Sequence, residues 1–353
     1  MNGKRDFSID FFKGITVISI IFIHTVWWSG EAYVPNIIAQ FSLLIDVPLF
    51  FFLSGASATF SFNKKNVFGG VLRLLGLFAF FFGIYAILFP PENTLNFIVN
   101  SLVFQFPWAK DAPVVSGSTW FIAVFGVVYL LGYLIIHHVG SNKVLPIICA
   151  LLLYFMYNYE AVNIFHQFKI LSITPDFVFS YLFFFLFGYF YYSKLRLYKK
   201  IKFYAAGLFL IALALVLFHF KGIPFNLQSI KFPPRFYYVV ASLISISLVM
   251  FFSSFIKKEY FINYSGKNAL PFYLAQGIGG SVLLFILPEI HLNWPIKLAI
   301  ALLINLFTTV VLAVTIAYFY KHFLLNLTKF LFFIDNFSFF TLKDNIKSLL
   351  KKK

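Results

Sequence analysis

Long apolar segments alternate with short polar segments along this chain. Ten of the apolar segments approach the length that an α-helix needs to cross a bilayer, about 20 residues. They cover residues 12–30, 38–62, 68–89, 119–138, 144–159, 177–193, 203–220, 236–256, 268–287 and 297–320. The short alternating segments that a membrane β-barrel requires do not recur. The pattern therefore predicts an all-α, polytopic integral membrane protein with about ten transmembrane helices.

Composition agrees with this prediction. Of the 353 residues, 61% are hydrophobic and 11% are charged, whereas about 25% are charged in a typical soluble domain. A single cysteine, Cys149, lies in an apolar segment, which excludes a disulfide framework and a cysteine metal site. The histidines and carboxylates show no metal-ligand spacing, so no metal is expected.

The basic residues are concentrated in alternate loops. With the N-terminus inside, the inner loops contain Lys64, Lys65, Lys143, Lys194, Arg196, Lys199, Lys200, Lys202, Lys257, Lys258 and Lys267. By the positive-inside rule, both termini are therefore expected in the cytoplasm. The net charge of +16 is therefore explained by membrane topology and does not indicate nucleic-acid binding. Residues 1–322 are predicted to form the membrane domain, and residues 323–353 a basic, amphipathic cytoplasmic tail.

The first apolar stretch, taken from residue 9 to residue 28, contains three ionisable residues, Asp10, Lys13 and His24. Such groups at bilayer depth cost from about 2.5 kcal/mol upward and usually mark a functional interior. At about 100° per residue, the three fall within about 60° of one another on a helix. They predict one polar stripe that could form the floor of an active site. Alternatively, Asp10 pairs with Lys13 one turn away, and His24 is a hydrogen-bonded core residue.

Asp46 lies in the second segment at a depth that matches His24. A carboxylate there could accept a hydrogen bond from the imidazole and orient it; a polar contact that only joins the two helices is the alternative. Pro48 predicts a kink in this helix. Arg73, about one turn inside the third segment, either extends to the membrane interface or binds phosphate.

Three further candidates lie toward the predicted outer face. Trp120 opens the fourth segment, where tryptophan commonly belongs to an interfacial aromatic belt. Lys231 and Arg235 flank a Pro-Pro pair before the eighth segment. The two cations could bind an anionic ligand, or the segment could be a rigid helix cap.

In this order, the motifs resemble those of the acyltransferase 3 family, bacterial membrane-bound enzymes that modify cell-surface glycans. The resemblance rests on residues 9–14 followed by His24, on residues 47–55, on Thr119-Trp120-Phe121, on Lys231-Phe232-Pro233-Pro234-Arg235 and on residues 265–274. The chain departs from the family pattern at Gly70, where an arginine is common, and at Gln276, where many members have histidine. The hydrolase-like domain fused to some members is missing, which implies a stand-alone transferase.

The resemblance implies transfer of an acyl group, usually acetyl, from cytoplasmic acyl-CoA to a hydroxyl of a surface polysaccharide or its lipid-linked precursor. It implies a multi-pass protein of the bacterial cytoplasmic membrane that uses acyl-CoA as substrate and holds no permanent cofactor. The implied roles are catalysis by His24 with Asp46, acyl-CoA binding by Lys13, Arg73 and Asp10, and acceptor binding or gating by Lys231, Arg235 and Trp120. His24 would act as a general base or as a transient acyl carrier.

Two other classes of protein fit the composition. A transporter or flippase for a lipid-linked glycan would also carry buried charges, but it commonly shows an internal repeat, and none is found. A membrane sensor would use the polar stripe only for helix packing. The sequence is compatible with a homo-oligomer and does not set the number of copies.

Overall fold

The computed structural model describes residues 6–61, 64–88, 113–118, 120–140, 144–158, 175–195, 226–232 and 234–350, with isolated residues at 93, 95 and between 207 and 220. Every regular element in these ranges is helical. The α-helices are α1 (Phe7–Trp27), α2 (Asn36–Ser42), α3 (Val47–Ser61), α4 (Lys64–Leu88), α5 (Pro113–Ser118), α6 (Trp120–Val139), α7 (Val144–Asn158), α8 (Pro175–Ser193), α9 (Phe236–Phe252), α10 (Asn263–Lys267), α11 (Ala269–Ile286) and α12 (Trp294–Leu350).

Six helical segments in the described part of the chain are long and apolar enough to cross a membrane. They are Phe7–Trp27, Asn36–Phe60, Gly69–Ile87, Trp120–Val139, Ala269–Glu289 and Trp294–Phe323. Helices α7, α8 and α9 supply three shorter apolar segments. The helical, membrane-type architecture is thus confirmed, whereas ten spans and cytoplasmic termini stay predictions. Most of the predicted span 203–220 lies outside the described residues, and α12 continues as a helix into the predicted tail.

The second predicted span is a broken helix rather than a kinked one. Helix α2 ends at Ser42, and α3 begins at Val47. Pro48 is therefore in the first turn of α3, where its missing N–H removes no helical hydrogen bond. The Ser19 hydroxyl donates to the Ile45 carbonyl within the break. The break leaves Asp46 directly before the N-terminus of α3, which favours a negative charge.

Helices α3 and α8 pack closely through two glycines. A Cβ added at Gly55 would lie 1.8 Å from the Phe185 carbonyl oxygen, and one at Gly188 would lie 1.9 Å from that of Phe52. The two backbones are therefore in direct contact, as small residues permit between membrane helices. Tyr181, on α8, is fully buried and stacks on Phe51 of α3 at 4.6 Å. This contact fixes α8 beside Asp46.

Replacing Gly188 by Ala is expected to destabilise the protein by about 1–3 kcal/mol, because the added methyl group must push α3 and α8 apart. Thermal unfolding of the detergent-purified protein measures this loss. Gly83→Ala, on α4, is the control because a Cβ there meets nothing within 4 Å. Equal losses in the two variants would contradict the close α3–α8 contact.

Candidate active site

His24 lies in the last turn of α1 with its ring partly accessible. Its Nδ1 atom is buried and has no hydrogen-bond partner among the described residues. Buried polar atoms in proteins are nearly always paired. The sequence allowed His24 to be a core histidine with all its hydrogen bonds made. The unpaired nitrogen does not fit that interpretation.

Asp46 is directly bound to two other side chains. Its Oδ2 atom lies 2.6 Å from the Lys231 ammonium and accepts a hydrogen bond of 2.7 Å from the Tyr238 hydroxyl. Asp46 also interacts electrostatically with His24, but no hydrogen bond joins them. The matching depth of His24 and Asp46 predicted a hydrogen bond between them. In the structure, Asp46 binds Lys231 instead, because a carboxylate binds an ammonium more strongly than a neutral imidazole.

The two cations flanking the Pro-Pro pair separate in space. Lys231 is 6% exposed and points inward to Asp46, whereas Arg235 is exposed before the first turn of α9. The structure therefore does not bring them together as one anion-binding pair. Pro233, between them, lies outside the described residues.

Trp120 begins α6 and is partly buried among aromatic rings. Its ring lies 5.4 Å from that of Phe232, 5.5 Å from Phe177 and 5.8 Å from Tyr181. Phe232 also lies under the Lys231 ammonium, 5.1 Å from its ring centroid. Trp120 thus belongs to the aromatic surroundings of the Lys231–Asp46 pair. Its neighbour Thr119, also part of the family motif, lies outside the described residues.

Lys13 and Arg73 line one cavity of about 290 Å³. A third cation, Lys267 at the end of α10, lines the same cavity, although it also pairs with Glu259. The remaining lining residues are Phe50, Ser54, Gly70, Leu74, Phe121, Phe125, Gly266, Ala269, Leu270 and Tyr273. Asp10 is buried and is not among them; its carbonyl oxygen lies against Gly266. The cavity is therefore cationic at three points and mostly apolar elsewhere.

Three aromatic rings lie together in the wall of this cavity. Phe121 lies 4.7 Å from Tyr273 and 5.4 Å from Phe50, and all three line the cavity. The Tyr273 hydroxyl donates to the Ser118 carbonyl at 2.6 Å. Gln276 follows Tyr273 by about one helical turn and lies beside His24. Helix α11 therefore carries both a residue of the cavity wall, Tyr273, and a neighbour of His24, Gln276.

Several buried polar groups near His24 or Asp46 have no partner among the described residues. They are both amide atoms of Gln276 and the Tyr181 hydroxyl, besides Nδ1 of His24. Tyr181, Tyr238 and Tyr273 all interact electrostatically with Asp46. Unsatisfied groups gathered in one interior region are typical of a place that a ligand or water occupies. In the described part of the chain, no cluster of His, Cys, Asp or Glu could hold a metal ion.

A comparison with protein-family models finds one that matches nearly the whole chain. The model describes an acyltransferase domain, and the match covers residues 6–341. It includes every candidate site residue named above. No curated protein and no solved structure matches the chain.

Proposed function

The chain belongs to this acyltransferase family, and from that premise we propose that it moves an acyl group from cytoplasmic acyl-CoA to a glycan hydroxyl. The acyl group is acetyl, and the acceptor is a cell-surface polysaccharide or its lipid-linked precursor. The protein acts in the bacterial cytoplasmic membrane. The observation that carries this proposal is a cation-lined cavity whose Lys13 lies on the same helix, α1, as a histidine with an unpaired buried nitrogen.

The cavity has the chemistry that acyl-CoA requires. The nucleotide end of CoA carries several phosphate charges, for which Lys13, Arg73 and Lys267 supply cations. Arginine binds phosphate through a planar pair of donors, and lysine through a point charge. The apolar remainder of the cavity suits the pantetheine arm. Lys13 and His24 are eleven residues apart on α1, about 16 Å along the helix axis, so the arm would extend along that helix.

His24 then acts as general base. It takes the proton from the acceptor hydroxyl while the hydroxyl oxygen attacks the thioester carbonyl carbon. The carbon–sulfur bond breaks, and the thiolate of CoA receives the proton back from the imidazolium. General base catalysis of this kind contributes about 10²–10⁴-fold in rate. The Asp46–Lys231 ion pair beside the imidazole carries no net charge of its own.

Acceptor binding is assigned to the side of the site that holds Trp120 and Arg235. The ring of Trp120 is partly accessible, and Arg235 is exposed. An aromatic face and a guanidinium suit a sugar attached to a lipid phosphate. Lys231 supports this side indirectly, because its ammonium is held by Asp46.

Purified protein in lipid nanodiscs, supplied with acetyl-CoA and surface glycan, tests the function. We expect release of free thiol that depends on the acceptor, and a glycan whose mass increases by one acetyl group. In proteoliposomes, which separate an inner from an outer volume, movement of the glycan across the bilayer without thiol release would overturn the proposal and support a flippase.

Replacing Arg73 by Gln should raise the KM for acetyl-CoA about tenfold with kcat unchanged, because one phosphate contact is worth about 1.4 kcal/mol. Steady-state kinetics measure both constants. Acetyl-pantetheine, which lacks the nucleotide phosphates, should show the same KM with either protein. Lys258→Gln is the control, because Lys258 is exposed and does not line the cavity. An equal rise in that variant would mean that Arg73 acts only through overall charge.

A further inference from the structure

The Gln276 side chain is fully buried in the middle of α11. Both of its amide atoms lack a hydrogen-bond partner among the described residues. A buried amide without hydrogen bonds costs about 1–3 kcal/mol in lost hydration. An apolar side chain of the same size would avoid this cost. The residue therefore needs an explanation other than packing.

The backbone around Gln276 cannot turn away from the site. A Cβ added at Gly277 would lie 2.9 Å from the Val115 Cα atom, and one at Gly279 would lie 2.2 Å from the Asn305 side-chain oxygen. Helix α11 is therefore held closely between α5 and α12. This packing keeps the Gln276 amide beside the His24 ring, where the two side chains interact although neither Gln276 amide atom nor Nδ1 of His24 has a hydrogen-bond partner.

The charged groups that face His24 do not hydrogen-bond to its ring. Asp46, from the link before α3, and Lys231, from the segment before α9, interact with the imidazole electrostatically and bind each other directly. Tyr238 of α9 donates to Asp46. The Tyr273 hydroxyl of α11 is bound to a carbonyl group. Gln276 is thus the neutral amide beside an imidazole whose Nδ1 is unpaired.

We propose that Gln276 is the positioning residue of His24. Its amide oxygen accepts a hydrogen bond from Nδ1–H, which fixes the tautomer and leaves the Nε2 lone pair directed to the acceptor hydroxyl. The role is the one that a carboxylate fills in other histidine-dependent transferases and hydrolases, but here Asp46 is occupied by Lys231. The inference rests on the proposed acyl transfer.

Gln276→Met tests the role, because methionine keeps the volume and removes the amide oxygen. We expect kcat to fall about 100-fold through misorientation of the base, with the KM for acetyl-CoA unchanged because Gln276 does not line the donor cavity. Gln276→Glu, which restores an acceptor oxygen, should recover at least tenfold of that loss. Thermal unfolding of each variant separates these effects from loss of the fold.

Ser281→Ala is the matched control on the same helix. Ser281 is 2% exposed, accepts from the Val114 N–H and donates to the Gly277 carbonyl. Its loss should lower stability and leave kcat nearly unchanged. The inference is overturned if Gln276→Met retains wild-type kcat, if Ser281→Ala loses as much, or if Gln276→Glu recovers nothing.

A measurement without turnover separates this inference from the proposed function. In ¹⁵N-histidine-labelled protein, the His24 signal is identified by its absence in His24→Asn. The Nδ1 signal should shift in Gln276→Met and stay in place in Ser281→Ala. An unshifted Nδ1 signal overturns the role of Gln276 whether or not acyl transfer occurs. A shifted signal in a protein that releases no thiol would support the contact and refute the proposed reaction.

Discussion

Replacing His24 by Ala is expected to lower kcat at least about 1,000-fold, the middle of the range that general base catalysis supplies. In the proposed reaction, His24 is the group that removes the hydroxyl proton, and it lies beside buried polar groups that have no other described partner. Acceptor-dependent release of thiol from acetyl-CoA measures the loss. The KM for acetyl-CoA should change little, because His24 does not line the cationic cavity.

His137→Ala is the matched control for this loss. His137 lies in the last turn of α6, is exposed, and stacks on Tyr133 with ring centroids 5.4 Å apart. It should retain wild-type activity. Full activity in His24→Ala would remove His24 from the mechanism. An acyl adduct on His24, found by mass spectrometry of the intact protein after mixing with acetyl-CoA alone, would replace the general-base role with that of an acyl carrier.

Replacing Lys231 by Met is expected to destabilise the protein by about 3–5 kcal/mol. The variant leaves the Asp46 carboxylate, 2% exposed, without its cation. The Tyr238 hydroxyl alone does not balance a full buried charge. Thermal unfolding in detergent measures the loss, and acyl transfer should fall with it because the uncompensated charge lies beside His24.

Two further variants sharpen this prediction. Asp46→Asn combined with Lys231→Met removes both charges and should recover most of the stability, because replacing a buried ion pair with neutral groups is often close to neutral. Lys297→Met breaks a second ion pair, with Glu31, whose side chain is 34% exposed. The Glu31 carboxylate remains partly hydrated, so Lys297→Met should lose less stability than Lys231→Met. Equal losses in Lys231→Met and Lys297→Met would contradict the importance of burial.

The family and the character of the fold follow from local sequence. Apolar runs of helical length indicate membrane helices because a backbone in lipid must satisfy its own hydrogen bonds. The family resemblance, drawn from short motifs, is confirmed by the match over residues 6–341. Lys13 and His24 lie on one helix, as their spacing predicts, because helical geometry depends on neighbouring residues alone.

Some site contacts leave no local signal. The sequence placed Lys231 toward the outer face as a cation for a ligand, yet its ammonium binds Asp46 in the interior. Tyr238, one of 20 tyrosines, is 192 residues from the carboxylate it contacts. Lys267 joins Lys13 and Arg73 only where α10 meets the start of α1. Gln276 was visible as a departure from the family pattern, but its position beside His24 was not.

The sequence by itself thus determined that the chain forms apolar helices, belongs to an acyltransferase family and carries His24 and Lys13 on one helix. Tertiary structure decided which charges are paired. Asp46 could bind His24 or Lys231, and the choice depends on where the segment before α9 packs against the break between α2 and α3. In a low-dielectric interior the nearest opposite charge prevails. That pairing leaves His24 without a carboxylate hydrogen bond and with Gln276 beside it.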